Sequence, residues 1–183
     1  MFSACDFADA DFSDAVLNKA GLDNSDLSSA RFNGAAARNA TFFKSDVTSA
    51  DFRNTDLLSS SLEQAIGHGA TFVAAKMGDT FLAMADFTDA DFTGADLSSA
   101  NLEATIMKDT DLALVNLYGA KLADTDFTDS NWWRTRGLSS QQIDQFTVLF
   151  APTPNATESR RRDFEIWLTN RNKEIQKDRA LPE

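Results

Sequence analysis

Cys5 and His68 are the only cysteine and the only histidine in this chain of 183 residues. An enzyme working through a thiolate and an imidazole needs the two within hydrogen-bond reach. One residue of each kind also excludes a disulfide framework and any metal site built from several Cys or His ligands. Carboxylates are plentiful, with 28 Asp+Glu against 17 Lys+Arg and a formal net charge of −11. Two of them could serve as acid and base, but the aspartates are regularly spaced and no neighbour is set to shift a pKa. The run Asp86-Phe-Thr-Asp-Ala-Asp91 invites a calcium reading, yet the nine-residue Gly-rich period of calcium-binding repeats is absent. No phosphate-binding glycine loop, nucleophile elbow or His-Glu-x-x-His stretch occurs. These residues point to a protein that is not an enzyme and carries no metal or cofactor. The acidic balance also argues against direct nucleic-acid binding through a basic surface.

The elements that would position any surface chemistry follow from an internal repeat. Stepping by five from Phe2 to Trp132 gives 27 positions, of which all but Ala37 and Gly67 are large and apolar. Two residues before each of these centres runs a second column, Ala at 15 of 26 places and otherwise Cys, Ser, Thr or Val. A period of five fits neither the 3.6 of a helix nor the 2 of a strand, so the chain must turn regularly. One large and one small inward position per pentad fit a squared coil, with the large residue filling the axis and the small one sitting where the backbone turns.

The pentads Ala10-Asp-Phe-Ser-Asp14, Ala85-Asp-Phe-Thr-Asp89, Ala90-Asp-Phe-Thr-Gly94 and Ala95-Asp-Leu-Ser-Ser99 resemble the pentapeptide-repeat family. The likeness covers roughly residues 2 to 134. It implies an all-β solenoid, a right-handed quadrilateral β-helix with four pentads per coil, about 6.75 coils and a rod roughly 32 Å long. On that count Cys5 and His68 lie more than three coils apart and cannot form a dyad.

Taking every twentieth residue sorts the centres by face. One column reads Phe12, Phe32, Phe52, Phe72, Phe92, Leu112, Trp132, a stacked core rather than a ligand groove. Gly67, in Ile66-Gly-His-Gly-Ala70, is where the register is expected to bend. Charge is uneven. The face centred on Phe7, Leu27, Val47, Gly67, Phe87, Met107 and Phe127 carries Asp6, Asp9, Asp26, Asp46, Asp86, Asp89, Asp109, Asp126 and Asp129 against Lys108 alone, a net of −8. Such a stripe would draw a basic protein partner in a salt-dependent way. Phe43, Phe81 and Met84 on a neighbouring face form a second candidate, an apolar contact patch.

The pentad rhythm stops after Trp133, dividing the chain into a repeat domain, 1–134, and a helical cap and tail, 135–183. Ser139-Ser-Gln-Gln142 predicts a capping box and a helix over 140–150 with Ile143, Phe146, Leu149 and Phe150 on one side. A second helix is expected over 158–177, offering Phe164, Trp167, Leu168 and Ile175. Both stripes are expected to pack on the last coil. The first coil carries no such block and is a candidate edge for homodimer stacking. No transmembrane helix or secretory signal is read, so a cytoplasmic setting is expected and the glycosylation triplets at Asn39 and Asn155 are weak signals. The function these features indicate is a protein-binding scaffold. A branch of the resembled family implies the alternative, a bacterial DNA mimic that binds a type II topoisomerase, with gyrase inhibition or quinolone protection as its readout. Cyanobacterial members imply the scaffold role.

Overall fold

The computed structural model describes residues 2–180. From Asp6 onward every fifth residue pairs in parallel with the residue 20 positions later, through 22 isolated bridges that run as far as Asn116↔Arg136. The only break in that series falls at Asp111, where Asn131 leaves the coil. A bridge period of 20 residues with four bridges per turn gives four side faces. Each side is a single bridged residue and not a longer strand, because a pentad leaves no room for more before the chain turns again.

Two backbone amides of each pentad make the ladder. The N–H of the centre and that of the second residue after it both donate to carbonyls 19 positions on, as in Phe32 to Asp51 at 2.7 Å and Gly34 to Arg53 at 2.9 Å. A third amide donates backwards, as in Asp51 to Ala30 at 2.9 Å, and a fourth closes the turn, as in Ala35 to Phe32 at 2.9 Å. That turn needs a left-handed residue at its third position. All 26 such positions from Ala4 to Asp129 have positive φ, 22 of them non-glycine.

The core is the pair of inward columns. Phe32, Phe52, Phe72, Phe92, Leu112 and Trp132 are fully buried. Phe12 is only partly so because no coil covers it. The Phe rings of this column stack with centroids 4.6 to 5.0 Å apart and planes within 15°. Buried hydroxyls replace Ala in the small column by donating to a carbonyl, of the preceding coil for Thr55 to Phe32 at 2.7 Å and Thr105 to Leu82 at 2.9 Å, and of their own turn for Thr110 and Ser130. Ser60 Oγ is buried without a partner.

The bend expected at Gly67 is absent. The bridges Asp46↔Ile66 and Ile66↔Asp86 run straight through it. A Cβ at Gly67 would meet the Phe87 ring at 2.6 Å and Val47 Cγ2 at 3.2 Å. The ring of the next coil thus fills the missing side chain, and the glycine is a packing accommodation instead of a kink.

After the coil ends in a short 3₁₀ helix, Trp132–Arg134, two helices follow: α1, Ser140–Leu149, opened by the Ser139 and Gln142 capping box, and α2, Glu158–Ala180. They close the last coil through an aromatic cluster. Trp132 lies 5.6 Å from Phe146, 6.2 Å from Phe164 and 5.4 Å from Trp167 between centroids, and its Nε1 donates to the Phe150 carbonyl at 2.9 Å. Trp133 Nε1 donates to Asp163 at 2.8 Å, and Arg134 pairs with the same carboxylate. Leu149 departs from expectation: it lies outside this cluster, 58% exposed.

Candidate partner-binding surface

The residue before each centre is the bridged one, and its side chain has a local task. The N–H two residues on points out of the turn with no backbone partner, and where the bridged residue is Asp, or one of several Asn and Ser, its side-chain oxygen accepts it. Asp6 does this for Ala8 at 3.1 Å, Asp26 for Ser28 at 2.9 Å, Asp46 for Thr48 at 2.9 Å, Asp86 for Thr88 at 3.0 Å and Asp126 for Thr128 at 2.9 Å. The same bond recurs on the other faces, from Asp51, Asp91 and Asp96 but equally from Ser61, Asn101 and Asn116. The acceptor therefore need not carry a charge, and turns such as those after Ile66 and Ile106 form without one. Asp at five of the seven bridge positions of one face, where Ile66 and Ile106 are the others, exceeds what the turn demands.

Each of these aspartates uses Oδ1 for its own turn and has a second oxygen to offer. On Asp86 that oxygen meets His68 Nε2 at 3.0 Å, and on Asp126 it meets Lys108 Nζ at 3.1 Å. Burial pushes both carboxyls up, but the hydroxyl and amide of Thr88 or Thr128, with His68 or Lys108, outweigh it and hold them below the ordinary range. The Ser28 hydroxyl and amide lower Asp26 as well.

The other four acids of the face occupy the left-handed turn position, and they divide. Asp9 and Asp89 are exposed. Asp109 sits 3.8 Å from Arg160, yet burial together with the Asp129 and Asp89 charges raises its carboxyl above the usual value. Asp129 leaves the candidate surface altogether: it is only 6% exposed and accepts the amide and the hydroxyl of Thr153, each at 2.6 Å. It anchors the segment between α1 and α2, to which Arg160 adds a bond to the Asp129 carbonyl. The sequence hid this because nothing in the pentad pattern shows where a later segment will lie.

The apolar candidates are not brought together as one patch. Phe81, 47% exposed, and Met84, 58% exposed, share a coil. Phe43 lies two coils away, half-buried under Lys44, and the coil between presents Ser61, Glu63 and Gln64. Other exposed apolar residues, Val16 and Tyr118, stand on a different face.

Among the described residues no group of three or more His, Cys, Asp and Glu is arranged to hold a metal ion, and no helix is long and apolar enough to cross a membrane.

No curated protein matches the sequence. Among solved structures, the chain is 27% identical to HetL, a pentapeptide repeat protein involved in heterocyst differentiation regulation from the cyanobacterium Nostoc, over 71% of this chain and 59% of that one, with a TM-score of 0.59. The chain thus spans 59% of HetL's length. A pentapeptide repeat protein from the cyanobacterium Cyanothece, Rfr23, is 29% identical over 49% of this chain and 59% of its own, TM-score 0.47. QnrB1, a plasmid-mediated fluoroquinolone resistance protein, is 17% identical over 80% and 86%, TM-score 0.49. The profile of pentapeptide repeats matches in eight copies over residues 5–42, 68–103 and 95–131, more than half of the sequence. With its five-residue core period and its pairing of each coil 20 residues on, this chain belongs to the pentapeptide repeat family and is a right-handed β-helix solenoid.

Proposed function

We propose that this protein is a non-enzymatic scaffold that binds a basic protein partner through the acidic face of its solenoid. The observation that carries the reading is the surplus of charge over structural need: Asp6, Asp26, Asp46, Asp86 and Asp126 fill a role that Ser61, Asn101 and Asn116 fill without charge. Ladder bonds fix the backbone of every coil, so the second oxygens of this column stand in an ordered row, shared with His68 and Lys108 at Asp86 and Asp126. Lys or Arg side chains of a partner would meet them as charge-assisted hydrogen bonds. Asp9, Asp89 and Asp109 extend the negative field beside the row.

The test follows from the turn chemistry. Replacing Asp26, Asp46, Asp86 and Asp126 together by Asn keeps each turn acceptor and removes four charges. Affinity for a partner recovered by pull-down is expected to fall at least ten-fold at low salt, with the melting temperature little altered. Retention of full affinity in that variant would refute the acidic face as the epitope. Charge reversal to Lys is a poorer probe, since each change also removes a turn bond of about 1 kcal/mol.

A second reading, mimicry of DNA toward a type II topoisomerase, draws on the acidic rod. Phosphates wind around a duplex, whereas the charge here is gathered on one face, which favours the scaffold. A gyrase supercoiling assay decides between them: salt-sensitive inhibition or protection from a quinolone is the mark of mimicry, and no effect at micromolar protein leaves the scaffold.

A further inference from the structure

Where the acidic face meets the cap, the last coil and α1 enclose an open cleft of about 340 Å³, lined by Leu122, Phe146, Leu149 and Phe150 on the apolar side and by Asp124, Asp126 and Gln145 on the polar side. Its floor is core, since Phe146 is 6% exposed and packs on Phe127 at 5.3 Å. Its lip is not: Leu149 is 58% exposed, although it stands on a cap helix whose Ile143 and Phe146 are engaged with the core. Asp124 is exposed and forms no ion pair among the described residues, while Asp126 accepts from Thr128 at one oxygen and pairs with Lys108 at the other. A half-apolar cleft large enough for one leucine or phenylalanine side chain thus opens beside Asp124, a carboxylate with no ion pair among the described residues.

We propose that this cleft is the anchor site of the acidic face, taking one large apolar side chain from a partner segment that carries Lys or Arg on either side of it. The proposal rests on the scaffold reading above and names its specificity element. The apolar side chain displaces water from the floor formed by Leu122, Phe146 and Phe150, and the flanking cations reach Asp124 and Asp126. Long-range attraction comes from the stripe, and discrimination between basic partners comes from the cleft.

The probe is a fluorescein-labelled peptide, Gly-Lys-Lys-Phe-Lys-Lys-Gly, titrated into the full chain at low salt and followed by anisotropy and by amide NMR shifts. Shifts are expected to gather at residues 122–126 and 145–150. A peptide with Ala in place of Phe is expected to bind at least ten-fold more weakly, and the variants Leu149→Ser and Asp124→Asn to weaken the Phe peptide about three- to ten-fold while leaving the Ala peptide less affected. Leu149 and Asp124 are surface residues, so both variants should keep the wild-type circular dichroism. If the Phe and Ala peptides bind alike and both lose affinity in the four-Asn variant, the acidic face stands and the cleft is overturned. If neither peptide binds at millimolar concentration, both readings fall.

Discussion

The left-handed turn residue carries the sharpest predictions at the scale of single side chains. Leu114, at φ 64 and 62% exposed, pays the steric cost of that conformation for no packing return. A β-carbon there costs about 1–2 kcal/mol, against 0.5–1 kcal/mol for the added entropy of glycine. Leu114→Gly is therefore expected to raise stability by about 0.5–1 kcal/mol, read as a shift of the denaturant midpoint at unchanged slope. Gly34→Ala should act in the opposite direction, because its Cβ would fall 2.5 Å from Asp14 Oδ1 as well as at positive φ. Ser60 buries a hydroxyl that meets no acceptor, so Ser60→Ala, the residue its column prefers, is expected to stabilise by about 1 kcal/mol. Asp109 tests the electrostatics. Its carboxyl is raised, so the folded state binds its proton more tightly than the unfolded chain, and stability from this group declines as pH rises from the ordinary carboxylate range through the folded value. Asp109→Asn should thus raise the melting temperature at pH 7, and the gain should vanish as the pH is lowered below about 4.

At the scale of the elements, the columns were legible and the joints were not. Two inward positions in five announce the coil because apolar burial acts on every pentad alike. The left-handed position also left a trace: Asp, Asn or Gly, the residues that best tolerate it, occupy 14 of its 26 places. Gly67 misled because the sequence shows the missing side chain but not the Phe87 ring that occupies its space. Leu149 misled for the related reason that helical spacing names an apolar stripe without telling where its neighbour ends. The Phe column itself should be intolerant of truncation. Phe52 is stacked on both sides, by Phe32 at 4.6 Å and Phe72 at 4.9 Å, and Phe52→Ala is expected to cost about 3–5 kcal/mol in equilibrium unfolding. Asp163, lowered by Arg134 and by Trp133, gives the cap a stabilising contribution that is present above the ordinary carboxylate range and is lost as pH falls through the depressed value.

Across the whole molecule, the distribution of charge was readable from sequence once the coil length was known, whereas its availability was not. Asp129 belongs to the stripe by count and to the cap by contact, since the segment after α1 folds back on it through Thr153. Only three-dimensional placement separates an acid that faces water from one that holds a chain segment. The Phe column sets one more quantity for the molecule, the coil rise, which its ring spacing of 4.6 to 5.0 Å reports directly. The acidic column is therefore a ruler with that graduation, marked in successive coils at Asp6, Asp26 and Asp46 and with the marks at Ile66 and Ile106 left blank. An α-helix laid along it advances about 4.5 Å in three residues and about 6 Å in four, and so can keep a basic side chain near the three successive marks Asp6, Asp26 and Asp46. An extended strand repeats its side chains on one face about every 6.8 Å and falls out of step within two marks. A partner that reads several aspartates at once would do so with a helix running parallel to the rod.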